Sequence, residues 1–261
     1  MDFGRCCRDY GLVQHKDKVM VGLSGGKDSF TLLHLMRRMQ RRTPFSFEIV
    51  AVTVDQGQPG FSSEPIEAYM SGEDVPFHLV EQDTFSVVKE KISPGKTLCP
   101  LCARLRRGIL YRVAREIGAT KIALGHHRDD IIETFLLNVL YSGQTKAMPP
   151  RLVSDDGRHV VIRPLAYVSE ADIARFAKLK GFPSTTCTDC GGNADFHREK
   201  VKRLIDELNS ENPKVKGNLM AALANVVPSH LMDRDLLTKI GKPVPAITGG
   251  RTPRCYDLEA T

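Results

Sequence analysis

The chain has 261 residues, 41% hydrophobic and 26% charged, and its 37 Lys and Arg against 31 Asp and Glu leave a formal charge of +6. No apolar run approaches the roughly 20 residues a membrane-spanning helix needs, and no apolar segment with a small-residue cleavage site opens the sequence, so no membrane association and a cytoplasmic location are expected. The mild basic excess suits a polyanionic partner without demanding one, and the length favours one main domain with smaller appendages.

In chain order, Lys18 to Ser24 (KVMVGLS) is a β-branched, apolar run ending in glycines, and Phe30, Leu32, Leu33, Leu35, Met36 and Met39 follow at helical spacing. This predicts a strand, a tight loop and a helix. Further apolar runs at Phe47 to Val54, Phe77 to Val80 and Lys121 to Leu124 predict three more strands, separated by helical patterns. Such alternation predicts an α/β fold: a parallel sheet with helices on both faces, binding its ligand beyond the carboxyl ends of its strands. Ser24, Asp55 and Gly125 fall at those ends. From about Val160 the pattern changes to one strand-like run (HVVIRPLAYV), a helix that Ser169 can cap, and further helices. The expected division is residues 1–17 as an amino-terminal segment, 18–159 as the core and 160–241 as a small, mostly helical carboxyl-terminal appendage. Residues 242–261, rich in Gly and Pro without periodic apolar positions, are expected to be a disordered tail.

The string SGGKDS, Ser24 to Ser29, sits between the first strand and its helix. Gly25 and Gly26 permit torsions and a close approach that a Cβ would forbid, so backbone amides can converge on an anion. Lys27 adds a mobile positive charge, and the helix starting near Asp28 aims its amino-terminal dipole at the same place. The string is not the GxxxxGK[ST] loop of NTPases that act at the γ phosphate. It resembles the pyrophosphate loop of the N-type ATP pyrophosphatases, which implies cleavage between the α and β phosphates and adenylation of a substrate oxygen.

GHHRDDIIET, beginning at Gly125, places Asp129 and Asp130 at the start of a helix. Two readings stand side by side: carboxylates that position magnesium against phosphates, or acids that only stabilise a helix terminus. His126 and His127 read equally well as hydrogen-bonded surface residues.

Seven cysteines in a reducing compartment are metal ligands, catalytic groups or inert residues rather than disulfides. Cys99 and Cys102 form one CxxC, and Cys187 and Cys190 another. Cys6, Cys7 and Cys255 lack ligand spacing. Four thiolates could close a structural zinc site, whereas three on a [4Fe–4S] cluster would leave one iron open to sulfur, and composition does not choose between them.

SGGKDS, CPLCARLRRGILYR, GHHRDD, MPPRLVSDDG, VIRPLAY and NVVPSHL together resemble the tRNA 2-thiocytidine biosynthesis proteins over most of the chain, from about Lys18 to about Leu231. The resemblance implies thiolation of cytidine 32 in tRNA, with ATP, Mg2+ and a [4Fe–4S] cluster, in a homodimer supplied with sulfur by a cysteine desulfurase. It also implies three cysteine ligands, two of them at Cys99 and Cys102. For the third, Cys190 is favoured over Cys187, because Gly191 and Gly192 let the backbone wrap a sulfide and direct amides at it.

The expected site therefore takes nucleotide at Ser24, Gly25, Gly26, Lys27, Asp28, Ser29 and Asp55, and does its chemistry with Lys27, Asp28, Asp129, Asp130 and Arg106. Along the helix after Cys102, Arg104, Arg107, Arg112 and Arg115 share one side and Leu105, Ile109, Val113 and Ile117 the other. Arg106 projects into the apolar sector, where an unpaired guanidinium is costly, so it is expected to meet a phosphate, a carboxylate or the cluster's surroundings. Competing readings are a ligase of the lysidine type, which has no need of paired CxxC motifs, and a non-catalytic zinc-dependent RNA-binding protein, which has no use for SGGKDS.

Overall fold

The computed structural model describes residues 2–92, 99–183 and 196–242, with the backbone alone for Cys99 and Pro100. The chain divides into two compact units, Met1–Met220 and Ala221–Thr261. The first opens with α1 (Asp2–Asp9), β1 (Lys18–Gly22), α2 (Lys27–Gln40), β2 (Glu48–Asp55), α3 (Glu64–Ser71) and β3 (Phe77–Glu81). It continues with α4 (Phe85–Lys91), α5 (Cys99–Glu116), β4 (Lys121–Ala123), α6 (Arg128–Ser142), β5 (Arg151–Val153), β6 (Val160–Ile162), α7 (Glu170–Lys180) and α8 (Phe196–Glu211). Helix α9 (Val215–Ala224) runs across the boundary at residue 220; the second unit holds α10 (Arg234–Lys239), whose first turn is capped by the Asp233 carboxylate at 2.9 Å from the Leu236 amide.

The six strands form one sheet in the order β3-β2-β1-β4-β6-β5, parallel except for the β5–β6 pair. Val19, Met20 and Val21 are all fully buried, as a central parallel strand covered on both faces requires. Alternate residues divide the work: Met20, Val50, Val52 and Ile122 pack on Ile109, Leu110, Val113 and Ala114 of α5, while α2 packs against β1 and β2 with its own buried Phe30, Leu32, Leu33 and Met36. Helix α8 joins by setting Val201 and Ile205 on Ile132 of α6.

Two features depart from expectation. The run HVVIRPLAYV contributes only Val160–Ile162 as strand; Pro164, lacking an amide donor, cannot continue a ladder. That short strand pairs with β4, at Ile122↔Val161 and Ala123↔Ile162, so a boundary at 159/160 cuts the sheet itself, and the compact unit runs on to residue 220. Within the segment 1–17, α1 buries Cys6 and Cys7, and burial pushes both thiols up to about 12, which keeps them protonated. The expected tail from residue 243 lies outside the described residues.

Candidate active site

The chain runs outward from β1 to β2 and β3, then returns to β4 on the other flank of β1, so the connections after β1 and β4 diverge at a switch point. Both marked loops lie there. The Leu23 amide donates to the Val52 carbonyl at 2.8 Å and the Thr53 hydroxyl to the Leu23 carbonyl at 2.8 Å, fastening the end of β1 to β2. Buried Ser29 donates its hydroxyl to the Gly26 carbonyl at 2.8 Å and accepts from the Ser24 amide at 3.2 Å, which folds the loop onto the first turn of α2. Gly25 takes φ +82°, where a Cβ would be strained. Gly26 caps α2 without a side-chain hydrogen bond, so no side chain claims the first-turn amides.

Lys27 Nζ lies 3.2 Å from Asp28 Oδ1 and 3.3 Å from Glu170 Oε1 at the start of α7. Burial pulls its pKa down, but the two carboxylates more than offset this and hold it above the ordinary lysine value. Asp28 Oδ1 is shielded from solvent and, despite the ion pair, accepts no hydrogen bond among the described residues. Gly125, just beyond β4, presses on the same turn: a Cβ there would stand 3.1 Å from the Asp28 carbonyl carbon and 3.2 Å from the Ser29 nitrogen.

Two residues on, His127 caps α6. Its Nδ1 accepts from the Asp130 amide at 3.3 Å while Asp130 Oδ2 accepts from the His127 amide at 3.1 Å, a reciprocal capping box. With Nδ1 accepting, a neutral ring carries its proton on Nε2, which lies 3.4 Å from Asp130 Oδ2 and 3.8 Å from Asp28 Oδ1. Asp129 is buried and accepts from the Glu170 amide at 2.8 Å, with Lys216 at 3.1 Å. Burial would raise its pKa, yet that amide and Lys216 hold it below the ordinary value. One acid thus caps the helix and the other ties α6 to α7; the carboxylate oxygen left without a donor among the described residues is on Asp28.

The cysteine region adjoins the end of β2. Buried Gln56 donates to the Thr84 hydroxyl at 2.6 Å and to the Cys102 carbonyl at 3.4 Å, and its Oε1 accepts from Arg106 Nε at 2.6 Å. Gln58 Oε1 accepts from Arg106 at 3.5 Å, and its amide nitrogen approaches Cys102 Sγ at 3.9 Å. Arg106 therefore meets two glutamine side chains rather than a carboxylate. Asp55 spends Oδ1 on the Gly57 amide at 2.8 Å, shaping the turn that carries these glutamines. The polar arginines of α5 point outward, and Arg112 bonds Gln82 at 2.8 Å.

Sequence reasoning thus brought together Ser24, Gly25, Gly26, Lys27, Asp28, Ser29, Asp129 and Asp130 at one crevice, with Asp55, Cys102 and Arg106 beside the neighbouring strand end. The Cys99 side chain, Cys187 and Cys190 lie outside what the structure describes. It missed Glu170, whose only signal is its place directly after a capping Ser169, and Gln56 and Gln58, whose signal is a polar turn immediately after a buried strand.

A PP-loop domain family matches residues 4–205. A tRNA-cytidine(32) 2-sulfurtransferase of Anaeromyxobacter sp. (strain K) is 56% identical over 229 residues, 88% of this chain and 79% of that protein. One from Bordetella parapertussis is 55% identical over 247 residues, 94% of this chain and 77% of that protein. Among solved structures, the U34-tRNA thiolase NcsA from Methanococcus maripaludis with its [4Fe–4S] cluster shares the fold, at TM-score 0.68 and 20% identity over 87% of this chain and 79% of that one.

Proposed function

The chain belongs to the tRNA-cytidine(32) 2-sulfurtransferase family, built on a PP-loop domain, and from that premise we propose how its own residues replace the C2 oxygen of cytidine 32 in tRNA with sulfur. The observation that carries the reading is that both parts of the site lie at the carboxyl ends of the neighbouring strands β1 and β2. The anion-binding loop after β1 is fastened to β2 through Thr53, and β2 leads within a few residues to Gln56 and Gln58, which hold the Cys102 region.

ATP fits the first part, through uncapped α2 amides beside a glycine at positive φ and the Lys27 ammonium. The C2 oxygen attacks the α phosphorus, pyrophosphate leaves, hydrosulfide adds at C2, and AMP departs with the oxygen. Lys27 neutralises charge on the phosphates once they take the place of Glu170 beside it. Mg2+ fits Asp28, because a hard cation prefers oxygen ligands and Oδ1 is buried with no hydrogen-bond donor on it among the described residues.

The second part fits a [4Fe–4S] cluster by the chemistry of its donors. Cys99 and Cys102 lie one turn apart at the start of α5, and the Gln58 amide nitrogen approaches the Cys102 sulfur at 3.9 Å, a donor that could hydrogen-bond a ligating sulfur. A cluster held by three thiolates supplies an iron with a position open to sulfur; Cys190 is the third ligand in this reading, with Cys187 as a nearby thiol. Arg106, anchored by Gln56, orients the face between the nucleotide and the cysteines. A cysteine desulfurase as sulfur source, a homodimer and a cytoplasmic location complete the reading.

Anaerobically purified protein given tRNA, ATP, Mg2+ and sulfide should form 2-thiocytidine, seen by mass spectrometry of digested nucleosides, and release pyrophosphate only with tRNA present. Pyrophosphate release without any 2-thiocytidine would overturn the assignment.

A further inference from the structure

One pair of side chains at the crevice has no part in the reaction so far. Arg163, the residue after β6, is only 7% exposed and faces no carboxylate within ion-pair distance among the described residues. One guanidinium nitrogen donates to the Pro149 carbonyl at 2.7 Å, while Nε is shielded from solvent and has no partner among the described residues. His126, the residue after Gly125, likewise carries a shielded Nδ1 without a partner among the described residues. The two leave the sheet side by side, since Ala123 pairs with Ile162 and the Leu124 amide donates to the Ile162 carbonyl at 3.0 Å. Burial and then the Arg163 charge push the His126 ring down to about 4, so it is neutral near pH 7 and can meet an oxygen with an N–H.

Burying a guanidinium without an anion is costly, and two buried groups lacking partners on adjacent strand ends repeat that cost unless a ligand completes them. The protein's own carboxylates are spent elsewhere: Asp130 on the α6 cap, Asp129 on α7 and Lys216. Gly125 sets the place of the pair, because it packs directly on the Asp28–Ser29 peptide, bringing the next residue alongside the nucleotide loop.

We propose that Arg163 and His126 form a phosphate-oxygen subsite beside the PP-loop, occupied during the reaction by an oxyanion of either the nucleotide α phosphate or a phosphodiester of the tRNA. This rests on the thiolase reading and deepens it. Both sources present the same chemistry, and binding measurements separate them. Arg163→Gln and His126→Phe are compared with wild type for affinity to AMP, to adenosine and to tRNA at two salt concentrations, with thermal melting as the check on folding. Loss of one charge-assisted hydrogen bond corresponds to about a ten- to hundredfold loss of affinity. If the α phosphate is the occupant, both variants lose AMP affinity by that factor and keep adenosine and tRNA affinity. If RNA is the occupant, tRNA affinity falls, AMP affinity holds, and Arg163→Gln reduces the slope of log affinity against log salt by about 0.7 to 0.9. His126→Phe leaves the Pro149 bond intact, so it is decisive if Arg163→Gln melts early. Unchanged affinity for AMP and tRNA in a folded His126→Phe would overturn the subsite and leave Arg163 as a strut for Pro149. Wild-type protein that binds neither ligand would instead overturn the thiolase reading, and with it the role given to the pair.

Discussion

The turn of the nucleotide loop after β1 is closed by hydrogen bonds between atoms close in sequence, whereas the cysteine region beyond β2 is held by side chains from distant segments. Ser29 closes the loop through Ser24 and Gly26, five and three residues away, while Gln56 reaches Cys102 and Arg106 across 46 and 50 residues. A locally closed loop keeps its geometry whatever happens at the other end. A network of long side chains keeps its geometry only while every member is present, since each removal strands a buried donor or acceptor.

That difference makes the two ends separable, and the largest predicted effects test this. Lys27→Ala is expected to abolish tRNA-dependent pyrophosphate release while the protein retains full iron and sulfide content. Cys102→Ala is expected to lose the iron and all thiolation yet keep AMP affinity within about twofold, roughly 0.4 kcal/mol. Iron loss in Lys27→Ala would show that the two ends are coupled and break the comparison. Next in size is Arg106→Ala, which strands Gln56 Oε1 and should lower thiolation about ten- to hundredfold, on the order of 1.5–3 kcal/mol. Arg112→Ala removes exposed contacts to Gln82 and Glu116 and should change activity less than about twofold. Equal initial rates for the two variants would refute a positioning role for Arg106.

The same contrast explains what could be read in the sequence. The loop was legible as a contiguous string whose chemistry lies in its backbone; β1, β2 and β4 were legible because buried parallel strands are apolar runs, and the partly exposed β3 through Phe77, Leu79 and Val80. The burial of α1 and the edge strand β5 were not, because both depend on what they pack against; the exposed, three-residue β5 is too short to show an apolar run or an alternation. Arg106 could be singled out by its place on a helical wheel, but its glutamine partners come from a turn that no local pattern connects to α5. Glu170 was invisible for the same reason: its role depends on α7 arriving beside Lys27.

A smaller effect probes the contact between the two strand ends of the crevice. Gly125→Ala places a methyl 3.1 Å from backbone that cannot swing aside, so stability should fall by about 1–3 kcal/mol, read as a drop in the denaturant midpoint. AMP affinity should fall with it, because the displaced turn carries Lys27 and Asp28. Gly217→Ala, where an added Cβ meets nothing within 4 Å, is the control and should be neutral or slightly stabilising. A stable Gly125→Ala with unaltered AMP binding would mean the turn yields without consequence.

The smallest effect concerns two acids on α6 whose titrations run in opposite directions. Asp129 is held below its ordinary 3.8: burial acts against it, but the Glu170 amide and Lys216 prevail. Its stabilising contribution is therefore complete above the unfolded value and disappears as pH falls through the lower folded one. Glu133 is raised above 4.5, chiefly by burial, with Arg198 offsetting only part of it, so its charged form costs stability near neutrality, and that cost is relieved as pH falls through the raised value. Asp129→Asn keeps an acceptor for the Glu170 amide, and Lys216 keeps Asp206 at 2.8 Å, so the loss at pH 7 should be only about 1 kcal/mol or less. Thermal melting between pH 7 and pH 3 should show the wild-type advantage over Asp129→Asn closing only at the acid end, below pH 4. Glu133→Gln should match or exceed wild type at pH 7 and fall behind it as pH drops through the raised Glu133 value, because only the wild type gains there. If wild type and Asp129→Asn gave parallel curves down to pH 3, the lowered Asp129 would be refuted, and with it the claim that α6 is tied to α7 by a carboxylate that stays charged.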